Sequence, residues 1–441
     1  MQPAPRPAGP ASIARFTRSL PGVIGLGFLT FMFLSCVLTL PWTMGSTTVS
    51  DPSPEGSRLT RPGPPRYAQQ DPDASQLPPT WWPIRSDPAE SWLPADRDLA
   101  ERVRAAATRR ALDRLARQRG VSVDELATQA VTLSPEQIRA ARPFFVMGTD
   151  LLGRDLFKRV LAGGGISLTI GLAAALLSVF LGTMYGAIAG YVGGRLDAVM
   201  MRIVDILYGL PYVLLVVLLA VAGDAVMDEY VTRARARAHH VAHATRAAIG
   251  AAAAPPSRAE IEQWLAVHPT ERAEFETAAL SALPPRVVSE SERTAYDLLV
   301  LLVAIGGVSW LTMARVIRGQ VLSLRAQPFM EAARALGVPV RRQFLRHLLP
   351  NLLGPIIVYA TLTVPQAILQ ESFLSFLGIG VRPPLPSWGN LAADGLPELN
   401  PYQSRWWLLV FPCLLLGLTL LALNFVGEGL REAMDPKRRQ R

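Results

Sequence analysis

The sequence predicts an all-α membrane protein with six transmembrane helices and two polar extracytoplasmic insertions. Half of its 441 residues are hydrophobic and the mean hydropathy is +0.25, too apolar for an ordinary soluble chain of this length. Six apolar segments, at 20–43, 166–191, 206–223, 298–314, 348–370 and 406–427, are long enough to cross a bilayer, the fourth with its ends snorkelling. Arginines gather at 315–347, between the fourth and fifth segments, which puts that loop in the cytoplasm. An amino terminus in the cytoplasm followed by four crossings gives the same side.

Composition narrows the function classes. Net charge is +9, from 44 basic and 35 acidic residues, and a basic chain first suggests nucleic acid. Nucleic acid is discounted here, because the arginines are scattered over several loops without aromatic interleaving, and lysine occurs only at Lys158 and Lys437. Cys36 and Cys413 both fall within apolar spans, so no disulfide framework is suggested.

Residues 1–44 read as a basic cytoplasmic tail, with Arg6, Arg15 and Arg18, and a first membrane helix. A secretory signal peptide is the competing reading; the apolar run is longer than a signal core, and no small-x-small cleavage site follows closely. Residues 45–147 form the first insertion: 51–95, rich in Pro, Ser and Asp, reads as extended or poorly ordered, 96–119 as a charged helix, and Ser134-Pro135 as the start of a short one. In 148–223, Gly148-Thr149-Asp150 and Gly153-Arg154-Asp155 give turn chemistry that caps the second span. Gly171, Gly182, Gly186 and Gly190 then form a stripe for close helix packing. Residues 191–205 read as a short charged turn in which Arg202 and Asp205 pair, and Pro211 bends the third span.

The second insertion, 224–297, is dominated by Ala, Arg and Glu. Its His239, His240 and His243 have metal-ligand spacing, but no Cys or carboxylate set completes a site, and an exposed helix is the better reading. Residues 298–430 carry spans four to six. The fifth reads as interrupted by Pro350, Gly354, Pro355 and Pro365. Glu371 at its outer end is either interfacial or part of a pathway, with the interface favoured. Residues 372–390 read as a short re-entrant or surface helix ending in a proline turn, and 431–441 as a basic cytoplasmic tail.

Between spans four and five lies QPFMEAARALGVPVRRQFLRHLLPN, residues 327–351. Pro328 suits the first helical position, and Glu331 meets the positive end of the helix dipole. Phe329, Ala332 or Ala333, and Leu336 share a face; Gly337 is a natural stop. A second short helix follows, and Pro350 with Asn351 marks the start of the next span. The loop is therefore two short amphipathic helices with a glycine bend. It suits either transmission of force to a partner or simple stabilisation at the membrane surface.

Glu331-Ala332-Ala333, then Gly337, then Leu349-Pro350, resembles the EAA loop of ABC importer permeases; His347 stands where the general pattern has Ile. The RHLLPN ending, GTDLLGRD at 148–155, LSFLGIGVRPPLPSWG at 374–389 and GEGLREAMDPKRR at 427–439 resemble the dipeptide/oligopeptide branch, in its C-type subunit. That branch usually has GARISL where this chain has Gly163-Gly164-Gly165-Ile166-Ser167-Leu168, so a basic residue is missing. The resemblance implies a type I ABC importer permease (MetI-like) core at about 164–428, in a bacterial inner membrane with both termini cytoplasmic. It implies four kinds of partner: a second homologous permease subunit, two ATP-binding-cassette ATPases, an extracytoplasmic solute-binding protein and the lipid bilayer. ATP and Mg would sit on the ATPases, with no cofactor in this chain. The implied coupling residues are Glu331, Ala332, Ala333, Gly337, Leu349 and Pro350, and the implied cargo is peptides or similar small solutes.

The chain has no G-x-x-x-x-G-K-[ST], G-x-S-x-G, H-E-x-x-H or CxxC, and no nucleophile–base set. It reads as non-catalytic. An ion-gradient-driven secondary transporter and a membrane receptor using its insertions remain as alternatives; the first would want paired broken helices, and the second leaves the 327–351 loop unexplained.

Overall fold

The computed structural model describes residues 16–17, 19–52, 58–82, 94–119, 121, 126, 132–249, 257–399 and 405–434. Most of the basic residues on which the placement of the two tails rests (Arg6, Arg15, Arg18, Lys437, Arg438, Arg439, Arg441) lie outside them.

The elements run α1 (Leu20–Thr43), a hairpin β1 (Ser46–Pro52) and β2 (Arg58–Pro65), α2 (Pro94–Arg119), α3 (Pro135–Ala140), α4 (Leu156–Val192) and α5 (Gly194–Tyr208). Next come α6 (Tyr212–Thr232), α7 (Ala234–Ile249), α8 (Arg258–Val267), α9 (Pro269–Ala282) and α10 (Glu290–Arg325). The chain then continues through α11 (Pro328–Ala335), α12 (Val340–Gln343), α13 (Leu349–Phe376), α14 (Trp388–Gly395) and α15 (Trp407–Met434). Among the described residues five helical runs (α1, α4, α10, α12 through α13, and α15) are long and apolar enough to cross a membrane. The count is six if the broken pair α5 and α6 forms one span. This is a multi-pass, all-α membrane protein.

The chain divides into two units, 1–209 with 305–441, and 210–304. In the first, the glycine stripe of α4 sets the packing. A Cβ at Gly171 would collide with Ile368 of α13, and one at Gly186 with the Ala314 carbonyl of α10. Gly182 and Gly190 meet Met313 and the Arg318 carbonyl in the same way. Without a hydrophobic drive between helices in lipid, such close approach supplies the van der Waals contact that holds them. The helix α4 runs antiparallel to α13: Tyr191 meets Gln343 at one end, Gly171 meets Ile368, and Gly164 meets Trp388, beyond the end of α13. At 1.5 Å per residue, Gly164 and Tyr191 are about 40 Å apart along the helix.

Several segments differ from expectation. The 191–205 stretch is mostly helical, in α5, and Asp205 pairs with Arg315 at 2.8 Å rather than with Arg202. Asp197 holds Arg318 through two bonds, at 2.5 and 2.6 Å, which ties α5 to α10. At Pro211 the third span is broken outright: α5 ends at Tyr208 and α6 starts at Tyr212. The fifth span is continuous, with Pro355 and Pro365 inside α13. A π-helical stretch, Phe344–Leu348, leads into Leu349-Pro350, and Asn351 Nδ2 donates to the His347 carbonyl at 2.6 Å. The wider turn accommodates the proline ring without stopping the helix. Residues 372–376 finish α13, and the short helix α14 lies after the proline turn, not before it.

The first insertion is not simply a solvated module. Its hairpin pairs Ser46 with Pro65 through Pro52 with Arg58. Residues 71–82 lie along the 143–151 segment: Thr80 N donates to the Phe145 carbonyl at 2.9 Å and Trp81 Nε1 to Val146 at 2.7 Å. Ala106 of α2 is buried with Ala74, Leu77 and Phe145. The short helix α3 carries a Ser134–Gln137 capping box.

The second unit holds α6 to α9 and the first half of α10. Tyr296 donates to the Gly223 carbonyl at 3.0 Å, and Arg237 to the Leu283 carbonyl at 2.9 Å. His239, His240 and His243 are exposed on α7, and among the described residues no group of three His, Cys, Asp or Glu side chains is placed to hold a metal.

Candidate functional site

The 327–351 loop forms an elbow. Gln327 is extended and Pro328 opens α11, with Glu331 in its first turn. The helix stops in a Schellman motif: Val338 N donates to the Ala333 carbonyl and Gly337 N to the Arg334 carbonyl, each at 3.0 Å. Gly337 has φ +67°, the left-handed conformation the motif requires, and open space surrounds it. Pro339 then redirects the chain into α12.

One face of the elbow is anchored. Met330 and Ala333 are buried, as are Gln343 and Leu348. Tyr191 donates to Gln343 Oε1 at 2.9 Å, Gln343 Nε2 to the Val338 carbonyl at 2.6 Å, and Arg334 to the Arg325 carbonyl at 2.5 Å. The expected apolar face of Phe329, Ala332 or Ala333, and Leu336 is only partly right. Ala333 packs, Phe329 is half-buried near the His347 ring, and Leu336 is 82% exposed. The free face presents Glu331, Ala332, Leu336, Val340 and Leu345 among Arg334, Arg341, Arg342 and Arg346, all exposed. Leu349 and Pro350 sit half-buried where the elbow joins α13. A rigid backbone showing apolar side chains ringed by charge is the form of a docking surface.

At the other end of the bundle the 148–155 turn packs against α14. Gly148 (φ +82°) and Gly153 (φ +71°) admit the 71–77 segment so closely that a Cβ at Gly153 would overlap the Asp71 carbonyl. Thr149 N donates to the Leu77 carbonyl at 2.9 Å and Gln76 N to the Asp150 carbonyl at 2.9 Å. Asp155 caps α4 through Phe157 N at 3.0 Å. Asp150 accepts from Arg154 Nε at 2.7 Å and from Arg159 Nη1 at 2.6 Å, and Arg159 Nη2 reaches Asp394 of α14 at 3.4 Å. Neither Arg159 nor Asp394 carries a local signal in the sequence.

Glu371 is wholly buried within the protein rather than exposed at its surface. It accepts from Ser375 Oγ at 2.7 Å and Ser372 Oγ at 3.3 Å, with the Ser167 and Ser387 hydroxyls close by. Ser387 in turn caps α14 with Asn390. The carboxylate is thus enclosed where α4, α13 and the start of α14 meet. Above it, Trp388 donates to the Val160 carbonyl at 3.1 Å and fills the space over Gly164. At Gly165, where a basic residue is usual in the resembling stretch, the Leu40 side chain already occupies the place of a Cβ.

A family model described as "binding-protein-dependent transport system inner membrane component" matches residues 179–440, which include the whole elbow and α14. The chain is 50% identical over 143 residues to the oligopeptide transport system permease protein of Haemophilus influenzae, covering 32% of this chain and 45% of that protein. The protein of the same name from Escherichia coli K12 is 52% identical over 143 residues, 32% and 46% of the two chains. The dipeptide transport system permease protein of Bacillus subtilis is 46% identical over 140 residues, 32% and 43%. The chain thus spans about half the length of the curated relatives it matches.

Proposed function

The chain belongs to the family of binding-protein-dependent transport system inner membrane components, and from that premise we propose that it is the permease subunit of an ATP-driven importer of peptides or similar small solutes. Peptide cargo is supported by relatives named as oligopeptide and dipeptide permeases. A binding protein outside delivers the solute, a second similar permease completes the path, and two ATPase subunits hold and hydrolyse ATP with Mg. The membrane is the bacterial inner membrane, with both termini and the elbow in the cytoplasm.

The observation that carries this reading is the elbow. One face is turned inward, with Met330 and Ala333 buried and Gln343 bonded to Tyr191 of α4, while the other presents Glu331, Leu336, Val340 and Leu345 outward. A push on the free face passes into α13, which runs without a break from the elbow to Glu371 and the seat of α14. ATP binding by the partner then moves the far end of the bundle.

The test is uptake of a radiolabelled tripeptide by cells carrying the complete system, with ATP depleted while the proton gradient is held. Uptake should stop. Continued uptake under those conditions contradicts the ATP-driven reading and favours a gradient-driven carrier.

A further inference from the structure

We propose that the cavity between the 148–155 turn and α14 is a receptor for a carboxylate, built on the Nε–Nη2 edge of Arg159, and that it takes the C-terminal carboxylate of a short peptide. The peptide part rests on the reading above; the carboxylate part stands on geometry.

The cavity measures about 250 Å³, and its lining includes Asp150, Leu152, Arg159, Leu391, Asp394 and Leu408. Arg159 is 4% exposed. Its Nη1 is committed to Asp150 at 2.6 Å. Its Nη2 has only a 3.4 Å contact, to Asp394, whose side chain is 58% exposed. Its Nε is buried and has no hydrogen-bond partner. Nε and Nη2 share one edge of the guanidinium, the edge on which a carboxylate makes two parallel bonds. That edge is turned toward a lining residue, Asp394, and is half used. A buried donor left unmade is costly, so two oxygens offered there bind with more gain than Asp394 gives.

Charge and size agree. With Asp394 released to solvent, Asp150 faces the guanidiniums of Arg154 and Arg159, while the other lining carboxylate, Glu398, is paired with Arg405 at 2.5 Å. The surplus is one positive charge, which one carboxylate cancels. The volume falls below the ~300–1,000 Å³ of pockets that enclose a drug-sized ligand, so the cavity takes the end of a ligand rather than the whole. Leu152, Leu391 and Leu408 give it an apolar wall that suits an aliphatic last residue. The cavity also lies at the end of the bundle away from the elbow, where arriving cargo would meet it.

The test uses the full-length chain in lipid nanodiscs and isothermal titration with Ala-Ala-Leu, its C-terminal amide, and Ala-Asp-Leu amide. The free acid should bind at least tenfold more tightly than either amide. Asp394→Asn, at an exposed position, removes the competing carboxylate and should raise affinity for the free acid several-fold. Leu152→Trp narrows the cavity and should weaken it about tenfold. Equal binding of acid and amide, or an unchanged affinity in Asp394→Asn, overturns the receptor. Binding of Ala-Asp-Leu amide as tight as the free acid overturns its preference for a terminal carboxylate. Uptake by the complete system separates the two claims. Saturable uptake of acid and amide alike, with no discrimination in nanodiscs, leaves peptide import standing and removes the receptor. Discrimination in nanodiscs without uptake of any peptide keeps the carboxylate edge and removes peptide as cargo.

Discussion

Tyr191 and Gln343 meet at 2.9 Å across 152 residues of sequence, and the same Gln343 holds the Val338 carbonyl at 2.6 Å. The end of α4 is thereby bonded to the bend of the elbow. Tyr191→Phe removes one neutral hydrogen bond, worth about 0.5–1.5 kcal/mol. The chain should still insert, but the elbow should move without carrying α4. The expected result is several-fold less uptake per ATP hydrolysed, read by measuring both in the same proteoliposomes.

Gly337 offers a cleaner separation of backbone from contact. Nothing surrounds it, so a side chain there meets only the φ of +67°. Gly337→Val places a β-branched residue in the left-handed region, at about 1–2 kcal/mol or more, and the Schellman turn should open. Uptake should fall at least tenfold while membrane insertion, followed by immunoblot of the membrane fraction, stays normal. Glu331→Lys, which reverses a charge on the exposed face and opposes the helix dipole, should act in the same direction.

The α4–α10 contact predicts a contrast between two glycines. A Cβ at Gly186 collides with the Ala314 carbonyl, whereas one at Gly307 meets nothing within 4 Å. Gly186→Ala must push two helices apart and should lower the thermal midpoint in detergent by several degrees, with Gly186→Leu failing to accumulate. Gly307→Ala should be neutral within about 0.5 kcal/mol.

These glycines show what the sequence makes readable. The stripe on α4, the stop at Gly337 and the apolar spans are local patterns, so they can be seen without knowing any neighbour. The packed face of α11 cannot, because Phe329, Met330, Ala333 and Leu336 offer two apolar faces on one short helix, and only the surrounding fold selects Met330 and Ala333 for burial. Asp205 has Arg202 one turn away, yet pairs with Arg315, whose guanidinium stacks on Tyr208 at 4.0 Å. Arg159 reads as one more cation at a helix start; its partner Asp394 is 235 residues distant. Glu371 is a further case: nothing local shows that it is buried, because the four hydroxyls around it are supplied by three separate elements.

Glu371 yields a prediction on stability. Glu371→Leu strands the Ser375 and Ser372 hydroxyls in the interior and should cost about 1–3 kcal/mol. Glu371→Gln keeps an acceptor for Ser375 and should cost less. Thermal unfolding of the two variants in detergent, followed by near-ultraviolet signals of Trp388 and Trp407, orders them.

Leu336, 82% exposed beside the Gly337 bend, is the position from which the central claim is tested. Leu336→Cys is introduced with Cys36 and the exposed Cys413 replaced by serine, and a short bifunctional reagent is applied to membranes holding the complete system. The account predicts a cross-link to the ATPase subunit whose yield changes when ATP binds. Absence of any cross-link to a second protein, or labelling of the cysteine in intact cells by a reagent that cannot cross the membrane, contradicts it.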